Sequence, residues 1–179
     1  MRNLAIACAC LCLFAVARPL AQRTGSTPVL ANPFLIVDTA KGSIEIELFV
    51  ADAPKSVKHI VDLVKRNFYR GQRIHRVERS LVQFGDPGTR DMSQIESWGA
   101  GNSGNPIGVA EFSKRMHVRG AVGLAHGGNA KGGDSQIYIM KTANPALNGV
   151  HVIIGRVTKG MDVVDRLEKA DQLRRVALK

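Results

Sequence analysis

Two short apolar runs, Gly120 to Ala125 and Gln136 to Met140, flank a loop that holds Gly127, Gly128, Gly132 and Gly133. Each run has the length of a strand, and the Gly, Asn and Asp residues between them prevent a helix from continuing through. Strand, loop, strand is therefore the expected order. Side chains alternate along a strand, so Gln136, Tyr138 and Met140 share one face and Ile137 and Ile139 the other. The first face carries an amide, a phenol and a thioether, which suits a pocket that holds an apolar ligand and addresses one polar group. On this stretch alone, the favoured reading is a barrel strand whose Gln136 is an amide bonded to neighbouring backbone.

The rest of the chain repeats the β pattern. Phe34 to Thr39 and Ser43 to Phe49 alternate on either side of Ala40-Lys41-Gly42, a hairpin signal with glycine where a positive φ is needed. Ile44, Ile46 and Leu48 then face a core. Asp52-Ala53-Pro54 marks a helix start, with Asp52 as the candidate cap and Pro54 in the first turn. Val57, Ile60, Val61 and Val64 follow at helical spacing, giving a helix over 54–67 with a narrow apolar stripe. Gln72 to Val77 and Leu81 to Phe84 read as strands joined by Glu78-Arg79-Ser80. Here His75 and Arg76 must point to opposite faces, and alternation does not decide which of them faces the interior. A polar stretch from Gly85 to Pro106 includes Trp98 and a formal G-x-G-x-x-G at 99–104. It is not a dinucleotide fingerprint, because it sits in a loop and runs into Asn105-Pro106 and not into a helix. Pro145 to Gly149 reads as one helical turn, His151 to Val157 as a strand, Gly160 to Lys169 as a second helix and Leu173 to Leu178 as a last strand. Seven or eight strands with two helices give a mainly β fold, expected to be a closed antiparallel barrel.

The N-terminus sets the compartment. Arg2 precedes an apolar run from Leu4 to Val16 without an acidic residue, followed by Arg18-Pro19-Leu20-Ala21. This is the pattern of a secretory signal, with cleavage candidates after Ala17 and Ala21, and it is too short for a permanent transmembrane anchor. The expected division is a signal peptide over 1–21, a Gly/Ser/Pro-containing linker over 22–33 and one domain over 34–179, exported to the periplasm or secreted. Cys8, Cys10 and Cys12 all lie in the leader, so the mature chain has no thiol nucleophile, disulfide or cysteine metal site. Without Arg2 and Arg18 of that leader, 23 basic and 15 acidic side chains remain. No alternation of aromatic and basic residues accompanies this charge, so nucleic acid is not the expected partner.

No Gly-x-Ser-x-Gly elbow and no His-Glu-x-x-His are present, and His59, His75, His117, His126 and His151 lack ligand spacing. Hydrolytic and metal chemistry lose support, and no cofactor or metal is implied.

Five motifs, in order, carry a resemblance: His75-Arg76-Val77, Gln83-Phe84-Gly85-Asp86-Pro87, Gly120 to Ala125, Ser135 to Ile139, and Leu147-Asn148-Gly149 with His151 to Gly155. Together they resemble the cyclophilins from about Phe34 to Val164. The resemblance implies an eight-stranded barrel capped by two helices and peptidyl-prolyl cis-trans isomerase activity on proline-containing polypeptides, by a chain expected to act as a monomer. It also implies that Arg76 is the catalytic arginine and faces the site, that Gln83 helps hold it and that Gln136 binds substrate backbone. Leu124, Ala125, Tyr138, Leu147 and His151 match the wall and rim of the proline pocket.

The chemistry is coherent. A prolyl amide rotates over a barrier of about 18–20 kcal/mol set by resonance, with no bond to the protein formed or broken. A guanidinium donor aimed at the proline nitrogen would favour the twisted state over the ground state. This chain departs from the family in several places. Tyr138 stands where phenylalanine is usual, Ala146 where many members have tryptophan, and Ile154 where phenylalanine is common. The Arg76-to-Gln83 segment is one residue short, so the family's pocket phenylalanine falls on Leu81 or Ser80. The glycine-rich loop after Leu124 is one residue longer than usual, where specificity is expected to differ. The loss of pocket aromatics also motivates a second reading, a proline-peptide binding module or holdase without catalysis.

Overall fold

A computed structural model of the chain describes residues 32–179, and the leader and most of the linker fall outside the described residues. Eight strands form one antiparallel sheet: β1 (Phe34–Thr39), β2 (Gly42–Leu48), β3 (Arg76–Val77), β4 (Leu81–Phe84), β5 (Ala121–Leu124), β6 (Ile137–Met140), β7 (Ile153–Lys159) and β8 (Leu173–Leu178). Two helices, α1 (Pro54–Lys65) and α2 (Met161–Arg166), complete the framework. The strand order is β3-β4-β6-β5-β7-β2-β1-β8, so β3 and β8 are the two edges.

The expected closed barrel is corrected to a curled, open sheet. No ladder joins β3 to β8, and the seam is crossed by one bridge, Arg73 with Gln172, together with loop bonds such as Ile74 N to Asp171 O at 2.9 Å. The reason lies in β3. Residues 72–75, expected as strand, form no ladder, Arg73 making a single bridge, so the strand is reduced to Arg76 and Val77, which pair with β4 and make no ladder with β8.

The hairpin of β1 and β2 closes over Ala40-Lys41, with Thr39 opposite Gly42 at φ 132. Ile44, Ile46 and Leu48 are buried and meet Leu35, Val37, Ile137, Ile139 and Ile154 in the main core. Helix α1 lays Val57, Ile60, Leu63 and Val64 onto the same core, ending two residues before the expected boundary. Its start differs from expectation. Asp52 makes no cap, and pairs instead with Arg115 at 2.7 Å. Ala53 occupies the cap position, and the free amides of the first turn are taken by Glu111, whose carboxylate accepts from Lys55 N at 3.1 Å and from Ser56 N and Oγ at 2.8 Å. A carboxylate at a helix N-terminus satisfies orphan donors and complements the helix dipole whether it is local or distant in sequence. The second helix is shorter than the 160–169 expected, ending at Arg166. Among the described residues no helix is long and apolar enough to cross a membrane.

Candidate active site

Three strands carry the centre of the site in a fixed register. Arg76 on β3 lies opposite Gln83 on β4, Gln83 lies opposite Tyr138 on β6, and Leu81 lies opposite Met140. Alternation then gives the sheet two faces. Ile137 and Ile139 enter the main core, while Leu81, Tyr138 and Met140 form a second apolar cluster with Ala121, and Ala125 and Leu147 pack on its margin. Above this cluster lies a cleft of about 580 Å³ bordered by Arg76, Leu81, Gln83, Ala125, Gln136, Tyr138, Leu147 and His151. Eight of the nine residues singled out from the sequence thus meet at one place.

The ninth does not. Leu124 pairs with Ile137 and sits in the main core, 2% exposed, because the residue before an inward-facing Ala125 must point the other way. Its contribution to the cleft is backbone, since its carbonyl lies 3.2 Å from His151 Nδ1.

The ambiguity at residues 75 and 76 is resolved by burial. His75 is 7% exposed and packs beneath Gly99, whereas the Arg76 side chain is 49% exposed at the cleft. Burial pushes the His75 imidazole below its ordinary pKa, and neither ring nitrogen has a hydrogen-bond partner among the described residues. A neutral histidine under the loop avoids placing a buried cation beside the exposed Arg76.

A directional chain of hydrogen bonds runs through the polar side of the cleft. Arg76 Nη1 donates to Gln83 Oε1 at 3.1 Å, Gln83 Nε2 donates to Gln136 Oε1 at 2.7 Å, and Gln136 Nε2 donates to the carbonyls of Gly99 at 2.8 Å and Gly101 at 2.7 Å. Each amide can bond both neighbours in only one orientation, so the arginine's direction is set from the far end of the chain. On the other edge of the guanidinium, Glu78 Oε1 lies 2.7 Å from both Nε and Nη2.

The Gly99–Gly104 loop that ends this chain is pinned by two buried carboxylates. Asp86 Oδ1 accepts from Gly88 N at 2.7 Å and Oδ2 from Gly99 N at 2.6 Å. Asp134 accepts from Ser103 Oγ at 2.5 Å and Asn105 N at 3.1 Å, and meets His59 Nε2 of α1 at 2.9 Å. Gly85, at φ 116, is required here, since a Cβ would collide with the backbone of Ser135 just before Gln136. Trp98 holds the loop's approach by donating from Nε1 to Asp91 O at 3.1 Å.

The apolar floor has a polar anchor beneath it. Tyr138 is 3% exposed, and its hydroxyl meets His117 Nε2 at 2.7 Å. His117 Nδ1 lies 3.0 Å from Asn148 Oδ1, which also accepts from the His117 amide at 2.8 Å. An amide oxygen only accepts, so Nδ1 carries the proton and Nε2 receives the tyrosine O–H. Burial raises the pKa of Tyr138 and lowers that of His117, holding both neutral. At the rim His151 stacks on His126 with ring centroids 4.1 Å apart, and burial lowers its pKa as well.

Sequence reasoning missed His117, Asn148, Asp86, Asp134 and Glu78. Asp86-Pro87-Gly88 carried a turn signal, Glu78 lies only two residues from the Arg76 it pairs with, and His117, Asn148 and Asp134 have no local signature, because their partners are distant in sequence.

The fold and this cleft define a class: an antiparallel sheet with a peptide-sized groove, one side an apolar floor and the other an oriented arginine. The sequence model of the cyclophilin type peptidyl-prolyl cis-trans isomerases matches residues 34–178, and the chain belongs to that family. A probable peptidyl-prolyl cis-trans isomerase of Brucella suis is 36% identical over 149 residues, covering 81% of this chain and 76% of the relative. A peptidyl-prolyl cis-trans isomerase of Helicobacter pylori is 35% identical over 143 residues, covering 77% and 82%. Among solved structures, a cyclophilin from Cryptosporidium parvum, crystallised in the presence of the dipeptide Ala-Pro, superposes with a TM-score of 0.68 at 21% identity, covering 82% of this chain and 98% of the other. Cyclophilin AquaCyp293 from Hirschia baltica gives 0.66 at 19%, covering 80% and 73%. The chain is a peptidyl-prolyl isomerase by family, and its activity is rotation about prolyl bonds.

Proposed function

We propose that the chain is an exported folding catalyst in which Arg76 stabilises the twisted prolyl amide while the apolar floor holds the proline ring. The observation that carries this reading is the hydrogen-bond chain from Gly99 and Gly101 through Gln136 and Gln83 to Arg76. It orients the guanidinium before substrate arrives, so the reorganisation cost in the transition state is small. With Gln83 on Nη1 and Glu78 on Nε and Nη2, the remaining N–H groups of the guanidinium are free for a substrate. In the planar ground state the proline nitrogen's lone pair is delocalised into the carbonyl. Rotation localises it, so a donor there favours the transition state selectively. Leu81, Ala125, Tyr138 and Leu147 supply an apolar seat; Gln136 has both N–H groups on Gly99 and Gly101 and one lone pair of Oε1 on Gln83, so what it offers a substrate backbone is the second lone pair of Oε1, an acceptor for a peptide N–H.

Export rests on the sequence of residues 1–21, with the Ala21/Gln22 junction and Ala17 as cleavage candidates. N-terminal sequencing of the exported protein is expected to begin at one of them. The catalytic reading is tested with the mature domain and a proline peptide, by following cis-trans exchange directly. Wild type is expected to accelerate exchange, and Arg76→Ala to lose about a hundredfold in kcat/KM, the scale of removing one preorganised donor. Exchange unchanged by Arg76→Ala would overturn the role of Arg76. Peptide binding with no acceleration would support the holdase reading.

A further inference from the structure

The carboxylate of Glu78 stands at the mouth of the cleft in the short turn between β3 and β4, where Glu78 N donates to Leu81 O at 2.8 Å. The turn is tight, so the carboxylate is held beside Arg76. Its Oε1 lies 2.7 Å from two guanidinium nitrogens, yet 45% of the side chain remains exposed to an incoming peptide. The other carboxylate bordering the cleft, Asp134, is only 4% exposed and is engaged by Ser103, Asn105 and His59. His126 and His151 also border the cleft, and Arg79 is exposed in the turn itself. Glu78 is therefore the acidic group that a substrate's side chains meet next to the reacting bond.

Without Glu78, the cleft would present the uncompensated charge of Arg76 and would draw acidic peptides. With it, that charge is balanced and a negative oxygen faces the peptide. We propose that Glu78 is a specificity-determining residue that disfavours peptides with an acidic residue next to the proline and favours basic ones. This rests on the isomerase reading of the same cleft. A unit charge about 8 Å away across a half-solvated path shifts binding about threefold, so exchanging an acidic for a basic neighbour shifts the preference about tenfold at low salt.

The test measures kcat/KM of the mature protein for peptides carrying Glu-Pro, Ala-Pro and Lys-Pro, at low and at physiological ionic strength. In Glu78→Gln, which keeps an oxygen acceptor for Arg76, the Glu-Pro to Lys-Pro ratio is expected to rise about tenfold over wild type at low salt and to shrink toward it as salt is added. Glu78→Ala, which loses the acceptor as well, is expected to shift the ratio in the same direction while lowering kcat for all three peptides. A ratio within twofold of wild type in both variants overturns the inference alone. Wild type that isomerises none of the peptides overturns the underlying isomerase reading and the inference with it.

Discussion

Tyr138→Phe isolates the hydroxyl that distinguishes this floor from a phenylalanine. The ring stays, along with its contacts to Leu81 and Met140, and only the bond to His117 Nε2 is removed. His117 is 1% exposed, and its Nδ1 proton is committed to Asn148, so the abandoned Nε2 becomes a buried acceptor that water does not reach. An unsatisfied buried group of this kind costs about 1–3 kcal/mol, far more than the small apolar gain from losing one oxygen. The expected loss is about 2 kcal/mol, which for a domain of this size is a fall in Tm of about 4–8 °C. Urea unfolding followed by circular dichroism should show a lower midpoint with an unchanged slope, the mark of altered native stability. Replacing His117 by phenylalanine in the Tyr138→Phe background removes the stranded acceptor, and a double-mutant cycle should return a coupling of about 1–2 kcal/mol between the two positions. A Tyr138→Phe variant as stable as wild type, or a coupling near zero, would refute the argument that the hydroxyl and imidazole act as a pair.

Two further tests address stability elsewhere. Glu111→Ala strips the side-chain cap of α1 and is expected to cost about 1 kcal/mol, with faster amide exchange at Lys55 and Ser56 and little change at the helix centre. Burial lowers the pKa of His75, His117 and His151, so the unfolded chain binds their protons first as pH falls below about 6.5. Stability is then expected to be fully present above about pH 6.5 and to decline with acidification down to the folded-state values, by up to about 1.4 kcal/mol per pH unit for each histidine; flat urea midpoints from about pH 7.5 to 5.5 would contradict it.

Several parts of the site were legible because they are local. Residues 136–140 alternate, and that alone placed Tyr138 and Met140 opposite Ile137 and Ile139, as the two separate apolar clusters show. Gly42 announced the first hairpin because a two-residue connection needs a positive φ that other residues resist. The Asp52 cap failed for the converse reason: capping preference is a local statistic, and Glu111, more than fifty residues away, satisfied the same amides. Leu124 was misplaced by a resemblance that named a stretch without respecting its alternation. The open seam could not be read from strand count, since closure depends on whether residues 72–75 reach β8 as a ladder.

Sequence alone determined the β-rich framework, the helix faces, the absence of cysteine from residues 34–179 and the motif order that identifies the family, because each is written in neighbouring residues or in composition. Tertiary structure alone decided that His75 is buried beneath Gly99 and that Gln83 and Gln136 form one oriented chain ending on Gly99 and Gly101. Those facts depend on contacts between β3, β4, β6 and the Gly99 loop. Hydrogen bonds act over about 3 Å, and only folding brings groups so far apart in the chain within that reach.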